Sequence, residues 1–109
     1  MAIYEIDLNP NYANQEFDII IDEIENSIHI LLQTVNDAIL MSIFINNEQI
    51  GEPFMCFPNQ VVMPYPYMVD ILGGNFVFRT EDDNYPNYEN FGTTCSLYFL
   101  TKDELTNAQ

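Results

Sequence analysis

The sequence predicts an all-β fold: a small single-domain sandwich or barrel of about six to eight mostly antiparallel strands with a long Pro- and aromatic-rich loop. Three observations carry that expectation. Apolar residues alternate with polar ones at a period near two along several segments. Turn signals such as Asn-Pro, Asn-Asp and Asn-Asn separate the apolar runs, and a strand plus its turn takes roughly ten residues, the spacing of sandwiches and small barrels. The apolar residues outside the aromatics are mostly Ile, Leu and Val, and eight Phe and seven Tyr accompany them without any Trp. Such side chains suit a pleated, half-buried surface.

Each element follows from local pattern. Ile3 to Leu8 is the first strand, with Ile3, Glu5 and Asp7 on one face and Tyr4, Ile6 and Leu8 on the other. Asn9-Pro10-Asn11 ends it, because Pro donates nothing to a ladder and Asn favours turns. Glu16 to Ile21 is the second strand, with Phe17, Ile19 and Ile21 sharing a face. Asp22-Glu23-Ile24-Glu25-Asn26 reads as an acidic turn leading into a third strand, Ser27 to Val35. The isoleucines and the missing cap signals argue against a helix over residues 22–33. Asn36-Asp37 is a turn, Ala38 to Ile45 the fourth strand, and Asn46-Asn47 a tight two-residue turn where positive φ is tolerated. Glu48 to Glu52 returns as a short fifth strand.

Residues 53–68 change character. Pro53, Pro58, Pro64 and Pro66 interrupt an aromatic and Met-rich run. That density of proline is expected to exclude a central strand or a helix and to leave an extended, stiff loop. Its apolar side chains must cover the core or meet a partner. Phe54, Phe57, Met63, Tyr65, Tyr67 and Met68 are the candidate interface residues. Gly73-Gly74 permits a sharp turn. Asn75 to Thr80 is the sixth strand, Glu81 to Gly92 a long acidic loop, and Thr93 to Leu100 the last strand. The polar tail after Lys102 is expected to fray.

The 109 residues, 48% hydrophobic, suffice for one core, residues 1–109 forming one all-β domain. Seventeen acidic residues against Arg79 and Lys102 give a formal net charge of −15. Nucleic-acid backbone and anionic membranes then lack an electrostatic attraction to this chain. The residues favour a basic protein surface or a cation as partner. Cys56 and Cys95 sit among apolar residues and read as buried free thiols before they read as a disulfide. No signal peptide is expected, and no stretch is apolar and long enough for a transmembrane helix.

Chemistry-bearing residues are few. His29, the single histidine, lies between Ile28 and Ile30 and reads as a solvent-facing or hydrogen-bonded strand residue rather than a catalytic base. Ser27, Ser42 and Ser96 have no nucleophile motif around them. Asp82, Asp83 and Glu89 are the candidate metal ligands, since loop oxygens suit Ca²⁺. Tyr85 and Pro86 stand where an EF-hand loop needs ligands and Gly, so a solvated loop is the bland alternative. No cofactor motif is present.

Several segments together carry a family resemblance. Ile3 to Pro10 gives a short strand and an Asn-Pro turn. Gly51-Glu52-Pro53-Phe54, Pro64-Tyr65-Pro66-Tyr67 and Gly73-Gly74-Asn75-Phe76-Val77-Phe78 follow in order. Asn90-Phe91-Gly92 then leads into Leu97-Tyr98-Phe99-Leu100. Over about residues 3–100 the chain resembles the small baseplate plug proteins of contractile-tailed bacteriophages, of the cyanophage type. It departs from them in lacking Trp and in the acidic run at 22–25, which bears on the partner-facing surface more than on the fold.

The resemblance implies a structural, non-enzymatic protein, made in the host cytoplasm and located in the virion at the tail baseplate. It would sit near the hub and central spike, in several copies of a symmetric assembly. Its partners would be hub, spike or tail-tube proteins, without direct contact to nucleic acid or membrane. The alternatives are an acidic DNA mimic that inhibits a host nucleic-acid-binding protein, and a Ca²⁺-dependent carbohydrate module resting on residues 81–89.

Overall fold

Two antiparallel sheets share one core, with burial alternating most cleanly along the strands Gln15–Ile19, Ile28–Val35 and Cys95–Thr101. The computed structural model describes residues 3–20, 27–51, 53–63 and 66–101, with the side chains of 66–68 and of Asp82 set aside. The strands are β1 (Ile3–Ile6), β2 (Gln15–Ile19), β3 (Ile28–Val35), β4 (Ala38–Ile45), β5 (Glu48–Gln49), β6 (Phe54–Met55), β7 (Gly74–Thr80) and β8 (Cys95–Thr101), with one helix, α1 (Pro66–Leu72). One sheet has three strands in the order β1-β8-β7. The other has five, running β2-β3-β4-β5, with β6 also on β4.

The hairpins form where the turn residues demand them. Asn36 and Asp37 take φ of 51° and 65°, and Asn46 and Asn47 take 52° and 70°. Positive φ at both central residues matches the twist of the flanking strands. The β3–β4 register, Ile30 opposite Ile43 and Leu32 opposite Met41, puts the aliphatic set on one face. Ile30, Met41 and Ile43 are wholly buried there. The three-stranded sheet answers with rings. Phe76 and Phe99 lie with centroids 5.0 Å apart, and Phe78 stacks on Phe91 at 6.0 Å. A Cβ on Gly74 would run into the Leu100 carbonyl oxygen and the Phe99 ring, so glycine is what lets β7 close on β8 there. The first and last strands are neighbours, Ile3 opposite Leu100 and Ile6 opposite Leu97.

The expectation for residues 53–68 needs correction. The segment is not an irregular loop without regular structure. Its first part is a strap that leaves one sheet and joins the other. β6 pairs with β4, and the Cys56 N–H donates to the Ile39 carbonyl at 2.9 Å. A few residues on, Asn59 and Val62 donate to the carbonyls of Phe78 and Phe76, both at 2.8 Å, along the edge of β7. Pro58 bridges to Phe78 at that edge, where its missing N–H breaks no ladder. The last part opens a helix. Pro66 is the first residue of α1, the position at which a helical N–H has no partner in any case and a fixed φ is an advantage. Gly73, at φ 84°, ends the helix by donating to the Val69 carbonyl at 2.8 Å.

Asn75 locks the strap down. Its side chain accepts from the Met63 N–H at 3.0 Å and donates to the Met63 carbonyl at 2.8 Å, with the amide 2% exposed. Two backbone groups that would otherwise be buried without partners are satisfied by one residue. The acidic loop expected at 81–92 contains two 3₁₀ turns, Glu81–Asp83 and Tyr88–Asn90. The acidic turn at 22–25, Tyr65 and the tail from Lys102 lie outside the described residues.

Candidate functional site

The features that could meet another molecule are the two outer sheet faces and the exposed side of the strap. On the five-stranded sheet, parity along β2 and β3 puts Glu16, Asp18 and His29 outward. Asp18 lies opposite His29 in register. The imidazole sits between two carboxylates: Nδ1 is 2.8 Å from Asp18 Oδ1 and Nε2 is 3.3 Å from Glu16 Oε2. The hydrogen bond to Asp18, opposed by partial burial and helped by Glu16, raises the histidine pKa above its ordinary value. The Phe44 ring covers one side at 5.8 Å. Each ring nitrogen faces a different carboxylate, so the cluster is a cross-strand clamp with its hydrogen-bonding capacity used internally. His29 is therefore a hydrogen-bonded strand residue, as read from the sequence.

The three-stranded sheet presents a different face. Alternation turns Ile3 outward on β1, Val77 and Arg79 on β7, and Tyr98 and Leu100 on β8. With Asn59 and Thr80 they line an open groove of about 690 Å³. Val61 of the strap bridges to Val77 and extends the face, 46% exposed. Arg79 is exposed, and among the described residues no carboxylate lies within ion-pair distance of it. Asn59 pins this end, its amide donating to Asp83 Oδ1 at 2.7 Å and accepting from the Thr80 N–H at 3.1 Å. The Thr80 hydroxyl is buried without a partner among the described residues.

The candidate interface residues divide. Phe57 is 40% exposed and meets the Tyr85 ring edge-on at 6.0 Å. Phe54 is half-buried against the core. Met63 is 1% exposed, held inward by the Asn75 clamp, and offers no surface. Tyr67 and Met68 belong to α1, their side chains outside the described set, as is Tyr65 altogether. Of the candidate metal ligands, Asp83 bonds to Asn59 and Glu89 is exposed in the second 3₁₀ turn. The Asp82 side chain lies outside the described set. Among the described residues no group of three His, Cys, Asp or Glu side chains is placed to hold a metal.

Cys56 and Cys95 are both buried and unpaired, and burial pushes both thiols up, the Asn87 backbone partly opposing this at Cys95. Among the described residues no helix is long and apolar enough to cross a membrane.

The groove residues Ile3, Val77, Tyr98 and Leu100 were not singled out from sequence. Their signal was there in Phe76-Val77-Phe78 and Leu97-Tyr98-Phe99-Leu100, which are continuous apolar runs. A strand with one wet face should alternate, so an unbroken run says that the second face is apolar too.

The fold and these surfaces define a small all-β domain of two packed antiparallel sheets, joined edge to edge by a Pro-rich strap. A protein-family model described as "Cyanophage baseplate Pam3 plug gp18" matches residues 3–103, and the chain belongs to that family of phage baseplate plug proteins. No curated protein matches the chain. Membership implies a virion tail location and contact with other baseplate proteins. The DNA-mimic alternative finds no support in the match.

Proposed function

We propose that the protein is a plug-like structural subunit of a tailed-phage baseplate. It sits near the hub and central spike and works by packing against neighbouring tail proteins, in several copies of a symmetric assembly. The observation that carries this reading is the family match over nearly the whole chain. The surface chemistry agrees with it. Met55, Phe57 and Val61 of the strap and Ile3 on one sheet face are exposed, with Val77, Tyr98 and Leu100 half-buried beside Ile3 and Val61, and a few such anchors carry most of the energy of an interface. Phe54, Phe57, Tyr65, Tyr67 and Met68 of the strap region are the proposed contacts. The acidic remainder of the surface orients the subunit against basic neighbours.

The experiment is mass spectrometry of purified, intact virions with a copy-number estimate. A few copies per particle is the expected result. Absence from the particle, with the protein abundant in infected cells, overturns the reading.

A further inference from the structure

The outer faces differ in whether their polar groups are already used. On the five-stranded sheet, His29 is saturated by Glu16 and Asp18. On the three-stranded sheet, Arg79 lines the same groove as Val77 and Tyr98, and among the described residues no carboxylate lies within ion-pair distance of it. A guanidinium presents a planar fork that fits a carboxylate, and it gains most beside apolar surface that excludes water.

The geometry points to this groove as the docking face for an apolar segment of another protein that brings one Asp or Glu carboxylate to Arg79. The inference rests on the baseplate reading and specifies the kind of partner. Three strands and the strap, at a spacing of about 4.8 Å, make a face about 19 Å wide and about 20 Å long, or about 400 Å². That is roughly half of what one partner contributes to a standard interface. The contact must therefore run on past the groove. Glu5, on the edge strand in the same row as Tyr98 and Val77, and Glu81, next to Thr80, are charged residues that border the groove. The partner segment thus has apolar side chains over Ile3, Val77, Tyr98 and Leu100, a carboxylate at Arg79, and Lys or Arg on its flanks. A second copy of this chain fits poorly, because two bodies of formal charge −15 repel and the flanks would set acid against acid.

The test places photoreactive benzoyl-phenylalanine at position 98 in place of Tyr98, with position 33, on the outer face of the other sheet, as the control. Virions assembled with each protein are irradiated, and the cross-linked peptides are sequenced. The expected product joins position 98 to a different tail protein, at a peptide with Asp or Glu among apolar residues. Arg79→Glu is expected to lower the copies per virion by about tenfold or more, and Lys or Arg in place of the partner's carboxylate to restore them. An unchanged melting temperature for the isolated Arg79→Glu protein excludes misfolding as the cause. If the protein is in virions but position 98 joins a second copy of itself, or nothing, the docking inference falls while the baseplate reading stands. Wild-type packaging of Arg79→Glu has the same meaning. If the protein is absent from virions, both fall.

Discussion

The five-stranded sheet lines the core with aliphatic residues, Ile28, Ile30, Ile39, Met41 and Ile43, whereas the three-stranded sheet lines it with Phe76, Phe78, Leu97 and Phe99. Their outer faces contrast as well. On the larger sheet half-buried Leu31 and Phe44 flank a cluster in which His29 is held by Glu16 and Asp18. The smaller sheet has a groove lined by both apolar and polar side chains, with Arg79 in it and, among the described residues, no carboxylate in ion-pair distance. Both sheets obey one rule, alternation with one face buried, so the rule explains the core and is silent on the outside. What distinguishes the faces is whether the outward polar groups have found each other.

The comparison can be broken first at its aromatic half. Phe99→Ala removes a ring packed on Phe76 and on the backbone of Gly74, and is expected to cost about 3–5 kcal/mol in chemical denaturation. Ile43→Ala in the aliphatic half should cost about 2–5 kcal/mol and come out below Phe99→Ala, since fewer contacts are lost. The reverse order would mean that the aliphatic sheet carries the core.

The link between the sheets is the next target. Asn75→Ala leaves the Met63 N–H and carbonyl without partners, at about 1–3 kcal/mol for each buried group. Denaturation should show a loss of that order, and hydrogen exchange should rise along 58–63 before it rises in β3 and β4. Uniform exchange would show that the strap is not a separable link.

Smaller effects sharpen the account of the larger sheet. Asn47→Val forces a β-branched residue to φ 70° and should cost about 1–2 kcal/mol. His29→Gln tests the clamp. The histidine pKa is raised on folding, chiefly by Asp18, so its stabilisation is fully present below its unfolded value of about 6.5 and is lost as pH rises through the higher folded value. The melting temperature of the native protein should exceed that of His29→Gln at about pH 5.5, and the gap should close towards pH 8.5 or so. A half-exposed pair of this kind is worth about 0.2–1 kcal/mol. A gap independent of pH would mean that the ring acts by packing on Phe44.

Much of the fold was legible because it is local. Ala38 to Ile45 was read with the bounds that β4 has, since an apolar run there is closed at both ends by Asn-containing turns. The family was legible in the order of the Asn-Pro, Gly-Gly and Asn-Phe-Gly segments, and the match over residues 3–103 shows it. The strap was misread because proline was weighed only as a breaker. Pro66 starts a helix and Pro58 lies at a strand edge, two places where a missing N–H costs nothing. Asn75 looked like the first residue of a strand, because its role depends on Met63, twelve positions away, folding over it. Arg79 was counted as a cation, but its position in the groove, with no described carboxylate in ion-pair distance, is a property of three dimensions. The apolar groove beside it was written in the unbroken runs of the last two long strands.

The pairing of the first strand with the last has a mechanical meaning. Ile3 lies opposite Leu100, so the start of β1 and the final part of β8 lie at the same end of the sheet. Tension between these two points would pull β1 and β8 apart from that end, loading the ladder bonds singly, since antiparallel bonds run perpendicular to the strands. A load shared along β1 and β8 together would meet the whole ladder at once. The two directions of load thus differ for the same set of bonds: pulled at Ile3 and Leu100 they are met one pair after another, and sheared along the strands they are met together.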